Sequence, residues 1–378
     1  MASENLESCA LKKEYLEFCK EHFANNDPVG YLLCGSFFEL PILYFFSNPT
    51  DVDIMFCDNR FCCVNCDVIV PVGRKRNVLT IRTTGCHIGF VRLRKGLEYF
   101  RKPYDFDNGP ACTNELSING ACLRAILEKK DIRWRDICMI TKDSVYAISC
   151  PVWPQDAREW ITRKRKNGWP SEETITAIVK SGCHLVSKPH ARNPNDDTQW
   201  RYSFSHAETI LIHNYWTDVQ KYIYHLLKII KREVVKKCGG EDKTFLSNYY
   251  LKALMLWACE EKPAEFLEER NIVASVRELI LDFIEKLRER NVRHYFMPKN
   301  NIMDDLPCST NVENEVYLLR CYREEEIFDI VRIEPKAYKM TPGFLVVCNI
   351  CLYPLATILS SIAESVMEDG CLQDARTL

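Results

Sequence analysis

Hydrophobic and polar positions alternate in two different ways along this chain. The first half contains short, mainly apolar runs of three to five residues. Clusters of turn-forming or charged residues separate these runs, and this pattern predicts β-strands. These runs occupy residues 68–70, 78–81, 89–93, 137–140 and 144–148. The polar residues Thr141, Lys142 and Asp143 separate the last two runs and predict a turn between two strands.

Apolar residues at helical spacing predict four amphipathic or buried helices. The first covers residues 6–25, near the start of the chain, and the second covers residues 114–130. Two more are predicted over residues 247–260 and 276–290, the last of them capped by Ser275.

Capping signals predict where three further helices begin. Ser171 precedes two glutamates and is followed by Gly182, which predicts a short helix between them. Two segments fit the capping box, in which a Ser or Thr is followed three residues later by Glu or Gln. These are Ser205 with Glu208 and Thr217 with Gln220, and the second helix is predicted to run to Lys237.

The strand pattern gives way to the helical pattern near residue 190. Such a change predicts an α+β protein with two lobes: residues 1–190 form a lobe with a mixed sheet and helices, and residues 191–378 form a helical lobe. With 378 residues, 47% of them apolar and 27% charged, the chain is long enough to bury a core of this size.

Two aspartates on one predicted strand are the strongest chemical signal. Asp51 and Asp53 are separated by one residue, so both belong to the same face of a strand, whereas Val52 and Ile54 suit the buried face. Paired carboxylates favour a hard cation such as Mg²⁺ or Mn²⁺. The preceding Gly35-Ser36 step lets backbone N–H groups approach a phosphate. Together these segments predict a site for a nucleoside triphosphate with bound metal.

A site with two metal ions needs a third carboxylate on a neighbouring strand. Asp143, at the start of the predicted strand 144–148, is the first candidate, and Asp136 is the alternative. A turn aspartate would be the ordinary interpretation of Asp143.

The combination of Gly35-Ser36 with the segment 51–56 resembles the active-site signature of cyclic GMP-AMP synthase and its animal relatives, the cGAS-like receptors. These proteins are Mab-type nucleotidyltransferases. Further segments are similar to the same family and follow in its order, over about residues 5 to 305. They are residues 150–154, 168–171, 182–186, 200–205 and 246–252.

The resemblance implies roles for individual residues. It favours Asp143 over Asp136 as the third metal ligand beside Asp51 and Asp53, for two Mg²⁺ or Mn²⁺ ions. Gly35 and Ser36 would bind phosphate. It also implies nucleotide contacts by Arg201, Ser203, Glu208, Lys221, Ser247 and Tyr249. Among these, Lys221 would lie near the phosphates and the ring of Tyr249 would stack on a base.

The activity implied is the joining of two NTPs, such as ATP and GTP, into a cyclic dinucleotide that serves as a second messenger in innate immunity. Two alternatives stay open. Some family members with this fold are catalytically silent scaffold or developmental proteins, and a related transferase could make linear oligonucleotides. An intact set of three carboxylates favours the enzyme.

Receptors of this family respond to double-stranded nucleic acid. The net charge of −2 does not predict a generally basic protein, so any such contact requires a local patch. The run Arg163, Lys164, Arg165 and Lys166 is the candidate for it. Double-stranded RNA is expected rather than double-stranded DNA, because residues 207–220 contain no cysteine and so lack the zinc-binding insertion that accompanies DNA sensing. The resemblance also allows a homodimer formed on the ligand.

The twenty cysteines do not indicate a secreted disulfide scaffold, because the N-terminus has no apolar signal region. A cytoplasmic protein with reduced thiols is expected. The densest cluster comprises Cys57, Cys62, Cys63 and Cys66, and no histidine lies near it in the sequence, so no zinc is expected there. Residues 344–363 carry no charge and could span a bilayer, but Pro354 and several polar residues favour a buried helix pair over a membrane segment.

Overall fold

The computed structural model describes residues 29–34, 51–58, 60–65, 77–102, 116–119, 122–127, 140–240, 243–307 and 309–333. Three predicted elements lie outside these ranges: the helix at 6–25, the strand at 68–70 and the apolar segment 344–363. Within the ranges, no helix combines the length and apolar character needed to cross a bilayer.

A mixed sheet of eleven strands forms the first part of the described chain. Its strands are β1 (Val29–Cys34), β2 (Asp51–Asp58), β3 (Phe61–Asn65), β4 (Asn77–Arg82), β5 (Phe90–Lys95), β6 (Glu98–Tyr99), β7 (Leu116–Asn119), β8 (Cys122–Leu127), β9 (Ile140–Cys150), β10 (Cys183–Ser187) and β11 (Gln199–Ser203). The main path runs β1-β2-β9-β10-β11-β5-β4-β3, with β6 beside β5 and the β7–β8 hairpin beside β9. The pairs β2–β9 and β3–β4 are parallel.

The helices belong mainly to the second part of the chain. They are α1 (Arg158–Thr162), α2 (Glu172–Ser181), α3 (Ser205–Ile210), α4 (Asp218–Lys237), α5 (Asn248–Glu261), α6 (Ile272–Arg288), α7 (Glu313–Arg320) and α8 (Glu324–Ile333). A π-helical turn, Leu211–Tyr215, extends α3. The predicted α+β class, with a mixed sheet followed by a helical part, is therefore confirmed.

The last strand, β11, ends at Ser203, so the sheet continues beyond residue 190. The division of the chain into lobes at residue 190 stays a prediction. Aromatic and branched side chains from the sheet and from the helices share one large buried cluster, which includes Trp160, Trp200, Tyr222 and Phe283.

The helix predicted over residues 114–130 is wrong. The chain there contains β7 and β8, an antiparallel hairpin in which Asn119 pairs with Cys122. Leu116 and Ile118 alternate with polar residues, as expected for a strand. A glycine follows Asn119, and two-residue hairpin loops favour glycine. The strand period was therefore present in a segment that also fitted the helical period.

The turn predicted at Asp143 is also wrong. β9 is one continuous strand, and Thr141, Lys142 and Asp143 pair with β2 on one side and with β8 on the other. Three consecutive polar residues argue against a strand only if both faces of that strand are buried in a core. Asp143 lies on the sheet face that carries a cavity, described below, where a polar residue is tolerated.

Two of the predicted helix starts are confirmed by their hydrogen bonds. The Ser171 side chain accepts from the Thr174 backbone N–H at the start of α2. At the start of α4, Thr217 Oγ1 accepts from the Gln220 N–H at 3.2 Å, and the Gln220 side chain accepts from the Thr217 N–H at 2.9 Å. Ser247 likewise caps α5, which covers the predicted helix at 247–260.

Two other predicted caps are wrong. Ser205 is the first residue of α3 rather than its cap, and the Glu208 carboxylate binds side chains of α5 instead of closing a capping box. Ser275 lies inside α6, which begins at Ile272, and its hydroxyl donates to the Asn271 carbonyl at 2.8 Å. A serine in mid-helix commonly bonds to the carbonyl four residues earlier.

Gly182 ends α2 at a point where the chain passes very close to β9. We expect Gly182→Ala to lower the free energy of unfolding by about 2–4 kcal/mol. Its φ is +71°, and an added Cβ would lie 2.4 Å from the Cys150 carbonyl oxygen and 2.8 Å from Pro151 Cα. Urea denaturation measures this loss.

Gly168→Ala is the matched control for the backbone conformation alone. Its φ is +69°, but no described atom lies within 4 Å of the added Cβ. The expected loss is about 1 kcal/mol. Equal losses in the two variants would contradict the steric argument.

Candidate active site

The register of β2 and β9 brings the three predicted metal ligands to neighbouring positions. Asp53 is the direct partner of Asp143, and Asp51 is the partner of Thr141. Strand residues two apart belong to the same face, and directly paired residues share a face. Asp51, Asp53 and Asp143 therefore occupy positions on one face of the sheet. The alternative, Asp136, lies outside the described residues.

A cavity of about 570 Å³ opens on that same face of the sheet. Its floor includes Met55 and Val145, which are the next directly paired residues on the same face after Asp53 and Asp143. Its other walls come from β11, α3, α5 and the segment 294–305. The cavity thus lies between the sheet and the helical part of the chain.

The structure brings five of the residues predicted to bind nucleotide to this cavity. They are Arg201, Ser203, Glu208, Ser247 and Tyr249. They are separated by up to 48 positions in the sequence, so only the fold of β11, α3 and α5 brings them together.

Three cations line the cavity, as a polyanionic ligand would require. Arg201 lies on β11 opposite Val186, and among the side chains that the structure describes no carboxylate lies at ion-pairing distance from its guanidinium. Lys188 follows β10 and lies 3.9 Å from a carboxylate oxygen of Asp305. The third cation, Lys252 on α5, binds Glu208.

Glu208 is a buried carboxylate with defined partners on α5. One oxygen, Oε1, accepts from the Tyr249 hydroxyl at 3.0 Å, and the other, Oε2, accepts from Lys252 Nζ at 3.1 Å. Tyr249 and Lys252 are three residues apart on α5 and so lie on one helix face. A buried carboxylate is tolerated when such partners satisfy its charge.

His294 completes this hydrogen-bonded cluster. Its Nε2 lies 2.9 Å from the Tyr249 hydroxyl, and its Nδ1 accepts from the backbone N–H groups of Phe296 and Met297, both at 3.1 Å. Burial lowers the pKa of His294 to about 4, so the imidazole is neutral at pH 7. Burial, together with the nearby Glu208 charge, raises the pKa of Tyr249, which keeps its hydroxyl protonated.

Ser203 and Ser247 also have structural partners. The Ser203 hydroxyl lies 3.1 Å from that of Ser205, and Ser247 Oγ accepts from the Tyr249 backbone N–H at 3.1 Å. Ser247 therefore caps α5 and lines the cavity at the same time.

The remaining predicted ligands are not among the residues that line the cavity. Lys221, on α4, donates from Nζ to the His213 carbonyl at 3.0 Å. Gly35 and Ser36 lie outside the described residues, although they directly follow Cys34, whose partner on β2 is Asp53.

Sequence reasoning missed Lys188, Lys252 and His294 as cavity residues. Lys252 had a usable signal, since it follows Tyr249 at helical spacing. Lys188 and His294 are single polar residues without a pattern, and only the tertiary structure brings them to the site.

Three of the four clustered cysteines lie on β2 and β3. Cys57 and Cys63 are buried and Cys62 is partly buried, whereas Cys66 lies outside the described residues. Burial raises the pKa of Cys57 to about 12, which disfavours the thiolate that would bind zinc. Where side chains are described, no three His, Cys, Asp or Glu residues come together as a metal site.

The basic run at 163–166 does not lie wholly on the surface. Arg163 is 8% exposed; it donates to Glu260 at 2.8 Å and lies 4.2 Å from the centre of the Trp257 ring. Arg165 is 7% exposed and donates to the Arg163 and Trp160 carbonyls. Only Lys164 and Lys166 present their charge to solvent. As a surface for nucleic acid, the run is thus reduced to these two lysines.

Comparison with known proteins identifies the family of the sheet-containing part and of the helical part of the chain. Residues 95–214 match the Mab-21 protein nucleotidyltransferase domain, and residues 219–316 match the Mab-21 protein HhH/H2TH-like domain. The chain therefore belongs to the Mab-21 family. The first match includes Asp143, whereas Asp51 and Asp53 precede it.

Two relatives illustrate the range of the family. A cyclic GMP-AMP synthase-like receptor from Magallana gigas is 26% identical over 258 residues, which is 59% of this chain and 42% of that protein. A protein mab-21-like from Drosophila melanogaster is 27% identical over 180 residues, 45% of each chain. The chain thus matches less than half the length of either relative.

The two kinds of cation in the basic run should differ in their effect on stability. We expect Arg163→Ala to lower the free energy of unfolding by about 3–5 kcal/mol, because it removes one partner of a buried ion pair. For Lys164→Ala the expected change is within about 0.5 kcal/mol, as at an ordinary surface position. Chemical denaturation of both variants makes the comparison, and similar values for the two would contradict the assignment.

Proposed function

We propose that this protein is a cGAS-like nucleotidyltransferase that joins two NTPs into a cyclic dinucleotide, a second messenger of innate immune sensing in the cytoplasm. The observation that supports the proposal is the β2–β9 register, in which Asp51, Asp53 and Asp143 occupy positions on the sheet face that floors a cavity lined by three cations. Carboxylates for metal and cations for phosphate are the two requirements of phosphoryl transfer.

The positions of the acids fit two divalent ions. Asp51, Asp53 and Asp143 offer hard oxygen donors, which Mg²⁺ and Mn²⁺ prefer, on two neighbouring strands. When bound, the ions would neutralise triphosphate charge and increase the acidity of an attacking ribose hydroxyl.

The other site residues would bind and orient the two nucleotides. Arg201 and Lys188 would offset phosphate charge, and Gly35 and Ser36 would contribute phosphate contacts from the segment after β1. The Tyr249 ring would support a base, with Ser203, Glu208 and Ser247 available for polar contacts at the nucleotides. Lys221 would join this set only by leaving the His213 carbonyl.

Double-stranded RNA is proposed as the activating ligand, with double-stranded DNA as the alternative, and a homodimer could form on the duplex. This part draws support from similarity to a cyclic GMP-AMP synthase-like receptor and from residues 207–220. Those residues form the end of α3, the π-helical turn and the start of α4, without the cysteines of a zinc insertion. Contacts to phosphates would make binding strongly dependent on salt and little dependent on sequence.

A catalytically silent scaffold is the second candidate. It is favoured by the similar identity to the Drosophila melanogaster protein mab-21-like. A linear oligonucleotide is the alternative product of an active enzyme. Incubation with labelled NTPs and Mg²⁺ or Mn²⁺, with and without RNA or DNA duplexes, separates the three through the mass of the product.

Removing one carboxylate should abolish catalysis without unfolding the protein. We expect Asp53→Asn to reduce product formation by at least about a hundredfold, because the amide keeps the shape of the side chain but not the charge that binds metal. Product is measured by mass spectrometry, and folding by thermal denaturation.

Asp197→Asn is the control for loss of a carboxylate elsewhere. Asp197 is exposed and pairs with Arg101, so its neutralisation should leave activity and folding unchanged. Parent-like activity in Asp53→Asn would refute the metal site.

The two exposed lysines provide the test of nucleic-acid activation. We expect the double variant Lys164→Glu/Lys166→Glu to lose stimulation by duplex RNA, because reversed charges repel phosphates. Basal activity with Mn²⁺ should persist, since neither lysine lines the cavity. Unchanged stimulation, or a parent that no duplex stimulates, would contradict this part of the proposal.

A further inference from the structure

His294 lies in the segment that follows α6 and closes one wall of the cavity. Its backbone N–H donates to the Asn300 carbonyl at 2.9 Å, and its side chain is almost fully buried. The same segment approaches Gly89, the residue before β5, where an added Cβ would lie 2.6 Å from the side-chain nitrogen Nδ2 of Asn300. The imidazole is thus held in a segment that packs against both parts of the chain.

The hydrogen bonds of His294 determine its tautomer. Both partners of Nδ1 are backbone N–H groups, which can only donate, so Nδ1 must carry a lone pair. A neutral imidazole then carries its proton on Nε2. The Nε2–H group donates to the Tyr249 hydroxyl oxygen.

That donation sets the direction of the next hydrogen bond. Because the Tyr249 oxygen accepts from His294, its own proton is directed to the carboxylate oxygen Oε1 of Glu208, 3.0 Å away. Lys252 donates to the other oxygen of Glu208. A continuous, directional chain therefore connects the backbone of Phe296 and Met297 to a carboxylate on the cavity wall.

We propose that His294 is a positioning residue for the nucleotide pocket: its Nε2–H fixes the Tyr249 hydroxyl, which in turn holds the Tyr249 ring and the Glu208 carboxylate in place. This role rests on the proposed function, because the pocket is taken to bind NTPs. His294 itself does not contact the reacting atoms. It reduces the freedom of the two side chains that form the wall.

Two substitutions separate this role from a purely structural one. His294→Asn can still accept from the Phe296 and Met297 N–H groups, but its shorter amide does not reach Tyr249. His294→Gln reaches Tyr249 with an amide N–H but gives up the acceptor for the backbone. Positioning through Tyr249 predicts weaker binding in the Asn variant and near-parent binding in the Gln variant, whereas a role in holding the segment predicts the reverse.

Calorimetric titration with α,β-methylene ATP and GTP, in the presence of Mg²⁺, measures this difference. We expect His294→Asn to weaken binding roughly three- to tenfold, the value of one hydrogen bond. In a Tyr249→Phe background the Asn and Gln variants should bind equally, because the hydroxyl through which His294 acts is absent. Two results overturn the inference, provided that the parent protein binds the analogues. One is binding by the Asn variant that is as tight as in the parent, and the other is a loss of affinity in the Gln variant alone.

The tautomer provides a readout that needs no nucleotide. Imidazole ¹⁵N shifts of the free protein should show a protonated Nε2 and an unprotonated Nδ1 at His294, and the opposite tautomer overturns the inference by itself. If the tautomer is as expected but the parent binds neither analogue, the proposed function fails, and the nucleotide-positioning role fails with it.

Discussion

The parallel pairing of β2 with β9 is the constraint on which the candidate site depends. Hydrogen bonds between these strands place Asp53 beside Asp143 and, one pair further along the same face, Met55 beside Val145. Because side chains alternate between the two faces of a strand, a slip of one residue in β2 would move Asp51 and Asp53 to the opposite face. The buried residues Met55, Cys57, Ala147 and Val186 pack together on the cavity face and oppose such a slip.

The helical part of the chain supplies the complementary half of the site. Its polar side chains are held by one another before any ligand arrives: Glu208 by Tyr249 and Lys252, and Tyr249 in turn by His294. Arg201, on strand β11 of the sheet, differs, because no carboxylate among the described side chains pairs with it. A fixed wall beside a cation that has no ion-pair partner among the described side chains favours an anionic ligand with an aromatic or polar group.

Local signals in the sequence predicted much of the fold. The caps at Ser171 and Thr217 depend on residues within one helical turn, and both were predicted correctly. Errors arose where a distant partner decided the outcome. Glu208 suits a capping box, but the ammonium of Lys252, on α5, offers a stronger hydrogen bond. Arg163 and Arg165 suit a basic surface, but Glu260, on α5, draws both guanidinium groups inward.

The candidate site shows the same division. Family resemblance indicated Arg201, Glu208 and Tyr249. No sequence pattern marked His294, because its hydrogen-bond partners come from α5 and from its own loop.

The most direct test of the account is a crystal structure with Mn²⁺ and α,β-methylene ATP, using the anomalous signal of the metal. The account predicts Mn²⁺ between β2 and β9 at Asp53 and Asp143, with the triphosphate extending toward Arg201. A nucleotide bound elsewhere, or an anomalous map without a peak at the two aspartates, would contradict it.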